Sequence, residues 1–241
     1  MNNFSERVRL KIHALRVKAL KAFFTLPEVE LNKLAPPDLQ IASPITEHFC
    51  MPPYYVYKHD DFTPLMKLAK AANPKLIVEL GTAHGNTSAN LALNCPNARI
   101  ITVNAPVEVM TGDRTTFELT KDEIGIVYRN AGLSSRIKQV FSNTLNLDLS
   151  EYVKKGEVDF AIVDACHDES YVTNDFLKVA SFLSPHGIIL LHDTHPSMED
   201  HLGGSYLACM HLRSKGYDIR HIEDTWWGIF SPDNKVFNRG V

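Results

Sequence analysis

The chain has 241 residues, of which 44% are hydrophobic and 22% charged, and a formal net charge of -3. That length holds one sizeable core with a small appendage, and the composition is that of an ordinary soluble globular protein. The charge excludes a bulk electrostatic pull toward nucleic acid, and no apolar run approaches the roughly 20 residues a membrane span needs. Four widely spaced cysteines, Cys50, Cys95, Cys166 and Cys209, form no CxxC pair. They read as reduced thiols, which places the protein in the cytoplasm and argues against a disulfide framework or a zinc site. The first residues mix charged and apolar groups throughout, so a signal-peptide h-region is not expected.

In chain order, residues 4 to 24 have the spacing of an amphipathic helix. Val8, Ile12, Leu15, Ala19 and Phe23 share one face, with arginines and lysines around it. Such a face packs on its own domain or on a partner subunit, which makes this helix the expected seat of a homo-oligomer. A basic amphipathic helix on an anionic membrane is the competing reading. Residues 26 to 53 carry six prolines and read as a connector. The expected division is 1–58 for the helix and connector and 59–241 for the main domain.

From about residue 60 the pattern alternates. Apolar β-rich runs stand at 76–80, 99–104, 137–142, 158–164 and 187–193, and helical patterns at 62–72, 86–94, 120–131, 169–183 and 204–215. Uniformly apolar strands alternating with helices predict a mostly parallel sheet covered on both faces. Segments 218–224 and 226–232 nearly touch in sequence and fit a closing antiparallel hairpin. The expected fold is therefore α/β, a Rossmann-like three-layer sandwich with a C-terminal hairpin and an N-terminal helical extension. In such sheets ligands bind beyond the carboxyl ends of the strands. The polar residues collect there: the Gly81–Thr87 turn, Asn104, Ser142 with Asn143, Asp164 to Asp168, and His192 to His195.

The first of these clusters is a strand-to-helix turn, Glu79-Leu80-Gly81-Thr82-Ala83-His84-Gly85. Gly81 and Gly85 allow positive φ and close approach of a ligand to the backbone. Thr87 falls in the first helical turn, where free N–H groups can hold a carboxylate. The third glycine of a GxGxxG dinucleotide fingerprint is absent, and glycines serving turn geometry alone are the plain alternative.

The second cluster pairs Asp164 and His167 with His192, Asp193 and Thr194. If their strands are neighbours, the two aspartates stand about 5 Å apart. Two carboxylates at that spacing repel unless a cation or proton joins them. Oxygen-rich sites suit Mg²⁺, Mn²⁺ or Ca²⁺, and a histidine ligand shifts the choice toward a transition metal. The competing reading makes both aspartates N-caps of the following helices.

The run IVELGTAHGNTSANLA resembles motif I of the class I S-adenosylmethionine-dependent methyltransferases, and residues 76 to 195 are similar to the catechol O-methyltransferase-like and the cephalosporin-hydroxylase or sugar O-methyltransferase-like branches. The resemblance implies a cofactor site formed by Glu79, Gly81, Thr82, Ala83, Gly85, Thr87, Asn104, Ser142, Asn143 and Asp164. Asn104 and Asn143 stand where the family usually carries acidic residues. An amide oxygen accepts the same hydrogen bonds without charge assistance. The resemblance also implies metal ligands at Asp164, Asp193, His192 and Thr194, with His167 as the catalytic base. The expected activity is O-methyl transfer from S-adenosylmethionine, assisted by a divalent cation (Mg²⁺ or Mn²⁺), to a small hydroxylated acceptor such as a sugar, a catechol or a natural product. A non-catalytic cofactor-binding module and a metal-dependent hydroxylase or hydrolase on the same scaffold are the alternatives.

Overall fold

A computed structural model describes residues 26–47, 61–109, 119–194 and 203–238, together with positions 11, 12, 15, 19 and 22, which are helical. The remainder of the helix expected over 4–24 lies outside the described residues. So do His195 and residues 110–118.

Among the described residues, eight strands form one sheet: β1 (Glu28–Val29), β2 (Leu76–Leu80), β3 (Arg99–Asn104), β4 (Ile137–Phe141), β5 (Val158–Val163), β6 (Leu183–Leu191), β7 (Arg220–Ile222) and β8 (Gly228–Phe230). Their order is β1-β7-β8-β6-β5-β2-β3-β4. All pairings are parallel except those of β8, which runs antiparallel to both β6 and β7. From residue 61 onward, the α-helices of the described residues are α1 (Phe62–Ala72), α2 (Asn86–Asn94), α3 (Ile126–Asn130), α4 (Glu169–Ala180) and α5 (Gly204–Ser214), and a four-residue helix, Leu31–Leu34, precedes them.

Period-two alternation divides the strand residues between two apolar layers. Ile77, Ile100, Ile162 and Leu190 face a layer that includes Leu65, Leu68 and Leu91 of α1 and α2. Val78, Leu80, Ile101 and Leu191 face the opposite layer, with Phe176 of α4 and Leu212 of α5. Both faces are covered, which is why the central strands are apolar throughout.

The proline-rich connector is fastened to the domain. Asn90 and Asn94 are buried on α2, and their side-chain oxygens accept the Ile45 (2.9 Å) and Ala42 (2.8 Å) N–H groups. Upstream, β1 extends the sheet beside β7, pairing Glu28 with His221 and Val29 with Ile222.

Several boundaries differ from expectation. The helix expected from 120 begins only at Ile126, because Gly125 adopts φ 74° and donates its N–H to the Ala83 carbonyl (2.9 Å). Helix α4 stops at Ala180 because β6 starts at Leu183. Strand β6 ends at Leu191, so His192 and Asp193 stand just past it.

Candidate active site

The sheet reverses its crossover direction between β2 and β5, since β3 and β4 lie to one side of β2 and β6 to the other. Ligands of open α/β sheets bind outside the carboxyl ends at such a switch point. Three backbone hydrogen bonds align those ends. Gly81 N–H donates to the Val103 carbonyl (2.8 Å), Asp164 N–H to Leu80 (2.8 Å) and His192 N–H to Val163 (3.1 Å). The turn after β2, the residues after β5 and those after β6 therefore sit side by side.

Asp164, His167, His192 and Asp193 converge, each offering an atom within 4.8 Å of the others. His167 Nε2 lies 3.0 Å from Asp193 Oδ2 and 3.4 Å from Asp164 Oδ1. His192 Nδ1 lies 3.2 Å from Asp164 Oδ1 and 3.3 Å from Asp193 Oδ1. Neither aspartate caps a helix: the N-cap positions of α4 and α5 are Asp168 and Gly203. Asp193 takes φ 59°, a left-handed conformation that aspartate tolerates better than most residues. Thr194 is fully buried, and its hydroxyl engages the C-terminal hairpin, donating to the Trp226 carbonyl (3.2 Å) beside His221 Nδ1 (3.2 Å).

The charges in this cluster hold one another. Burial would raise the Asp164 carboxyl, but the His192 charge and the His167 contact reverse this and hold it below the usual carboxylate range. Burial also opposes charge on the imidazoles. Asp193 and Asp164 outweigh it, so His167 is raised and His192 is raised well above the ordinary value. The two carboxylates and His192 Nδ1 face a common centre and form a donor set that fits a divalent metal ion, with His167 Nε2 at its edge.

The glycine turn lies alongside. Gly81 has φ 109°, and a Cβ there would collide with the Asp164 carbonyl. Gly85 has φ 83°, and its Cβ would stand 2.7 Å from the Tyr128 ring. Both glycines are thus required by packing as well as by conformation. The Ala83 N–H donates to Asn104 Oδ1 (3.1 Å), and Asn104 Nδ2 donates to the Ala105 carbonyl (3.0 Å). Beneath the turn, Glu79 is buried and accepts hydrogen bonds from Ser88 and Thr102. Burial pushes its carboxyl up to about 7 against those two bonds.

With this geometry in place, residues 78–194 match the family model described as a methyltransferase domain. The fold is that of the class I S-adenosylmethionine-dependent O-methyltransferases. The fold and this family match support a methyltransferase enzyme. Among solved structures, the methyltransferase PaMTH1 of Podospora anserina, bound to S-adenosylhomocysteine, is 16% identical, with a TM-score of 0.55 over 70% of this chain and 76% of that one. An O-methyltransferase from Bacillus cereus, in complex with the same ligand, is 16% identical, with a TM-score of 0.50 over 71% and 81% of the two chains. The curated proteins contain no sequence match.

On this methyltransferase scaffold, the sequence-derived residues divide into three groups. Asp164, His167, His192 and Asp193 come together as one cluster. Gly81, Ala83, Gly85, Thr87 and Asn104 surround the turn between β2 and α2, and Ser142 and Asn143 follow β4. The Asn143 side chain accepts the Leu145 N–H (3.0 Å), which is the turn-forming role open to that residue type. The Thr82 hydroxyl points inward, 2.7 Å from Thr102 Oγ1 and accepting from Gln139 (3.0 Å).

Asp61 was not singled out from the sequence. It precedes α1, where aspartate reads as an N-cap, yet it makes no side-chain cap hydrogen bond. Its Oδ2 instead lies 3.3 Å from His192 Nε2. The only local signal is an acidic residue before a helix, and the partner that gives it meaning is 131 residues away.

Proposed function

We infer that the protein is an S-adenosylmethionine-dependent, divalent-metal-assisted O-methyltransferase acting on a small hydroxylated acceptor: a sugar, a catechol or a related natural product. The observation that carries this reading is the apposition of the glycine turn and the carboxylate–imidazole cluster, with Gly81 directly against the Asp164 backbone. When bound, the cofactor supplies an electrophilic methyl group, and the cation acidifies a hydroxyl. Glu79, Gly81, Thr82, Ala83, Gly85 and Thr87 shape the methionine side of the pocket. Asn104, Ser142 and Asn143 form its nucleoside side. Asp164, Asp193 and His192 hold the cation, with Thr194 behind them. His167 Nε2 receives the proton of the acceptor hydroxyl, from a position 3.0 Å from Asp193 that favours the imidazolium once formed. Rate then comes chiefly from holding the two reactants in line at near-attack distance.

Residues 59–241 are the catalytic unit on this reading, and residues 1–58 are an appendage fastened by β1 and by the connector on α2. The exposed Ile12 and Leu15 support pairing of that appendage with a second copy of the chain. The test is transfer of a labelled methyl group from S-adenosylmethionine to a panel of hydroxylated sugars and catechols, with and without EDTA. Metal-dependent labelling supports the proposal, and labelling unaffected by excess EDTA removes the metal from it. A second reading, metal-dependent hydroxylation or hydrolysis, draws on the two imidazoles of the cluster. Turnover without S-adenosylmethionine would favour it.

A further inference from the structure

His192 is held from every side. Its Nδ1 faces Asp164 and Asp193, and its Nε2 faces Asp61 Oδ2 at 3.3 Å. The Trp227 and Trp226 rings lie 4.4 and 5.9 Å from the imidazole, centroid to centroid. Asp61 is fixed in turn by the same tryptophans. Its Oδ1 accepts the Trp226 backbone N–H (2.7 Å), and its backbone carbonyl accepts the Trp227 indole N–H (2.9 Å). The β7–β8 connection thus clamps the residue before α1, and that residue clamps the imidazole.

A carboxylate accepts hydrogen bonds only, so Asp61 demands a proton on His192 Nε2. Once a cation displaces the Nδ1 proton, the ring presents its lone pair on Nδ1, the nitrogen aimed between Asp164 and Asp193. We propose that Asp61 is a positioning residue that fixes His192 as an Nδ1 metal ligand, so that the site selects a nitrogen-accepting transition metal such as Mn²⁺ or Co²⁺ over Mg²⁺ and Ca²⁺. Hard cations take oxygen ligands, and imidazole suits first-row transition metals. A carboxylate behind a ligating histidine fixes ring orientation and raises ligand basicity. The proposal rests on the cluster being a metal site, and it holds whichever acceptor is methylated.

The test is calorimetric titration of the full chain, stripped of metal, with MnCl₂, CoCl₂ and MgCl₂, joined to pulsed electron paramagnetic resonance of the Mn²⁺ complex. Wild type is expected to bind Mn²⁺ and Co²⁺ at least tenfold more tightly than Mg²⁺, with ¹⁴N coupling from histidine in the Mn²⁺ spectrum. Asp61→Asn is nearly isosteric and can still accept the Trp226 N–H. It turns a donor toward His192 Nε2, which forces the proton onto Nδ1. Its Mn²⁺ affinity is expected to fall about tenfold to a hundredfold, the usual cost of losing such a partner. Its Mg²⁺ affinity is expected to change less, and Asp61→Glu to restore part of the loss. Equal wild-type affinity for Mn²⁺ and Mg²⁺ without nitrogen coupling overturns the proposal while leaving the metal site standing. Mn²⁺ affinity unchanged in a folded Asp61→Asn overturns it as well. No binding of any of the three cations by wild type removes the metal site itself. The selectivity and the nitrogen coupling are read on wild type, so the proposal stays falsifiable if a variant fails to fold.

Discussion

The Asp164 backbone carbonyl occupies the space that a Cβ on Gly81 would need. One residue of the carboxylate–imidazole cluster and one residue of the glycine turn are therefore packed directly against each other. A change at Gly81 acts first on the fold. Gly81→Ala introduces both the collision and an unfavourable φ of 109°. It should cost at least about 1–3 kcal/mol of unfolding free energy. Urea unfolding checks this, and wild-type stability in the variant would contradict it. Loss of ligand binding in a larger Gly81 substitution would for the same reason report on folding as well as on the pocket.

Asn104 ties the same turn to β3 through the Ala83 N–H. Asn104→Ala leaves that donor without its partner and should destabilise the protein by about 1–3 kcal/mol. It should also weaken S-adenosylhomocysteine binding, because the turn loses its anchor. Asn104→Asp keeps the acceptor but sets a second oxygen against the Ala105 carbonyl, where the amide now donates. Calorimetry and unfolding on both variants test this. An Ala variant with unaltered affinity and stability would place the anchor elsewhere.

Much of this was legible beforehand, and the failures have causes. Strands β2 and β3 and helices α1 and α2 span the predicted residues, because their apolar periodicity is local and uninterrupted. Strand β1 was hidden in proline-rich sequence, being two residues long and defined only by pairing with β7. Helix α3 was overestimated because the left-handed Gly125 breaks it, a tertiary demand set by Ala83. The convergence of Asp164, His167, His192 and Asp193 was readable because Asp164 and His192 directly follow β5 and β6 and the other two stand within four residues of those strand ends. Asp61 was not, because its role depends on His192 and on tryptophans 165 and 166 residues away.

Glu79 predicts a pH signature of stability. Its carboxyl is raised from an ordinary 4.5 to about 7, first by burial. Between those values the folded protein keeps a proton that the unfolded chain has released. The associated stability is therefore full below pH 4.5 and is lost as pH rises to about 7. Glu79→Gln keeps an oxygen acceptor for Ser88 and Thr102 and removes the titration. The wild-type melting temperature should fall relative to that of the variant between pH 5 and 7, and the difference should level off above. Parallel melting curves across this range would show that Glu79 is ionised throughout.

The cluster predicts separable losses of function. Asp193→Ala should lose cation binding and methyl transfer while retaining S-adenosylhomocysteine. His167→Ala should keep the cofactor and lose turnover by about 10²–10⁴-fold, with partial recovery at high pH. Steady-state rates as a function of pH, measured with an accepted substrate, check both. A pH–rate profile unchanged in His167→Ala would remove this histidine as the base and turn attention to His192.

The most direct test of the whole reading is isothermal titration of the purified chain with S-adenosylhomocysteine, in the presence and absence of Mn²⁺. Saturable one-to-one binding, abolished by a substitution in the glycine turn that leaves the protein folded, is the expected result. No detectable heat at millimolar ligand under either condition would contradict an S-adenosylmethionine-dependent activity.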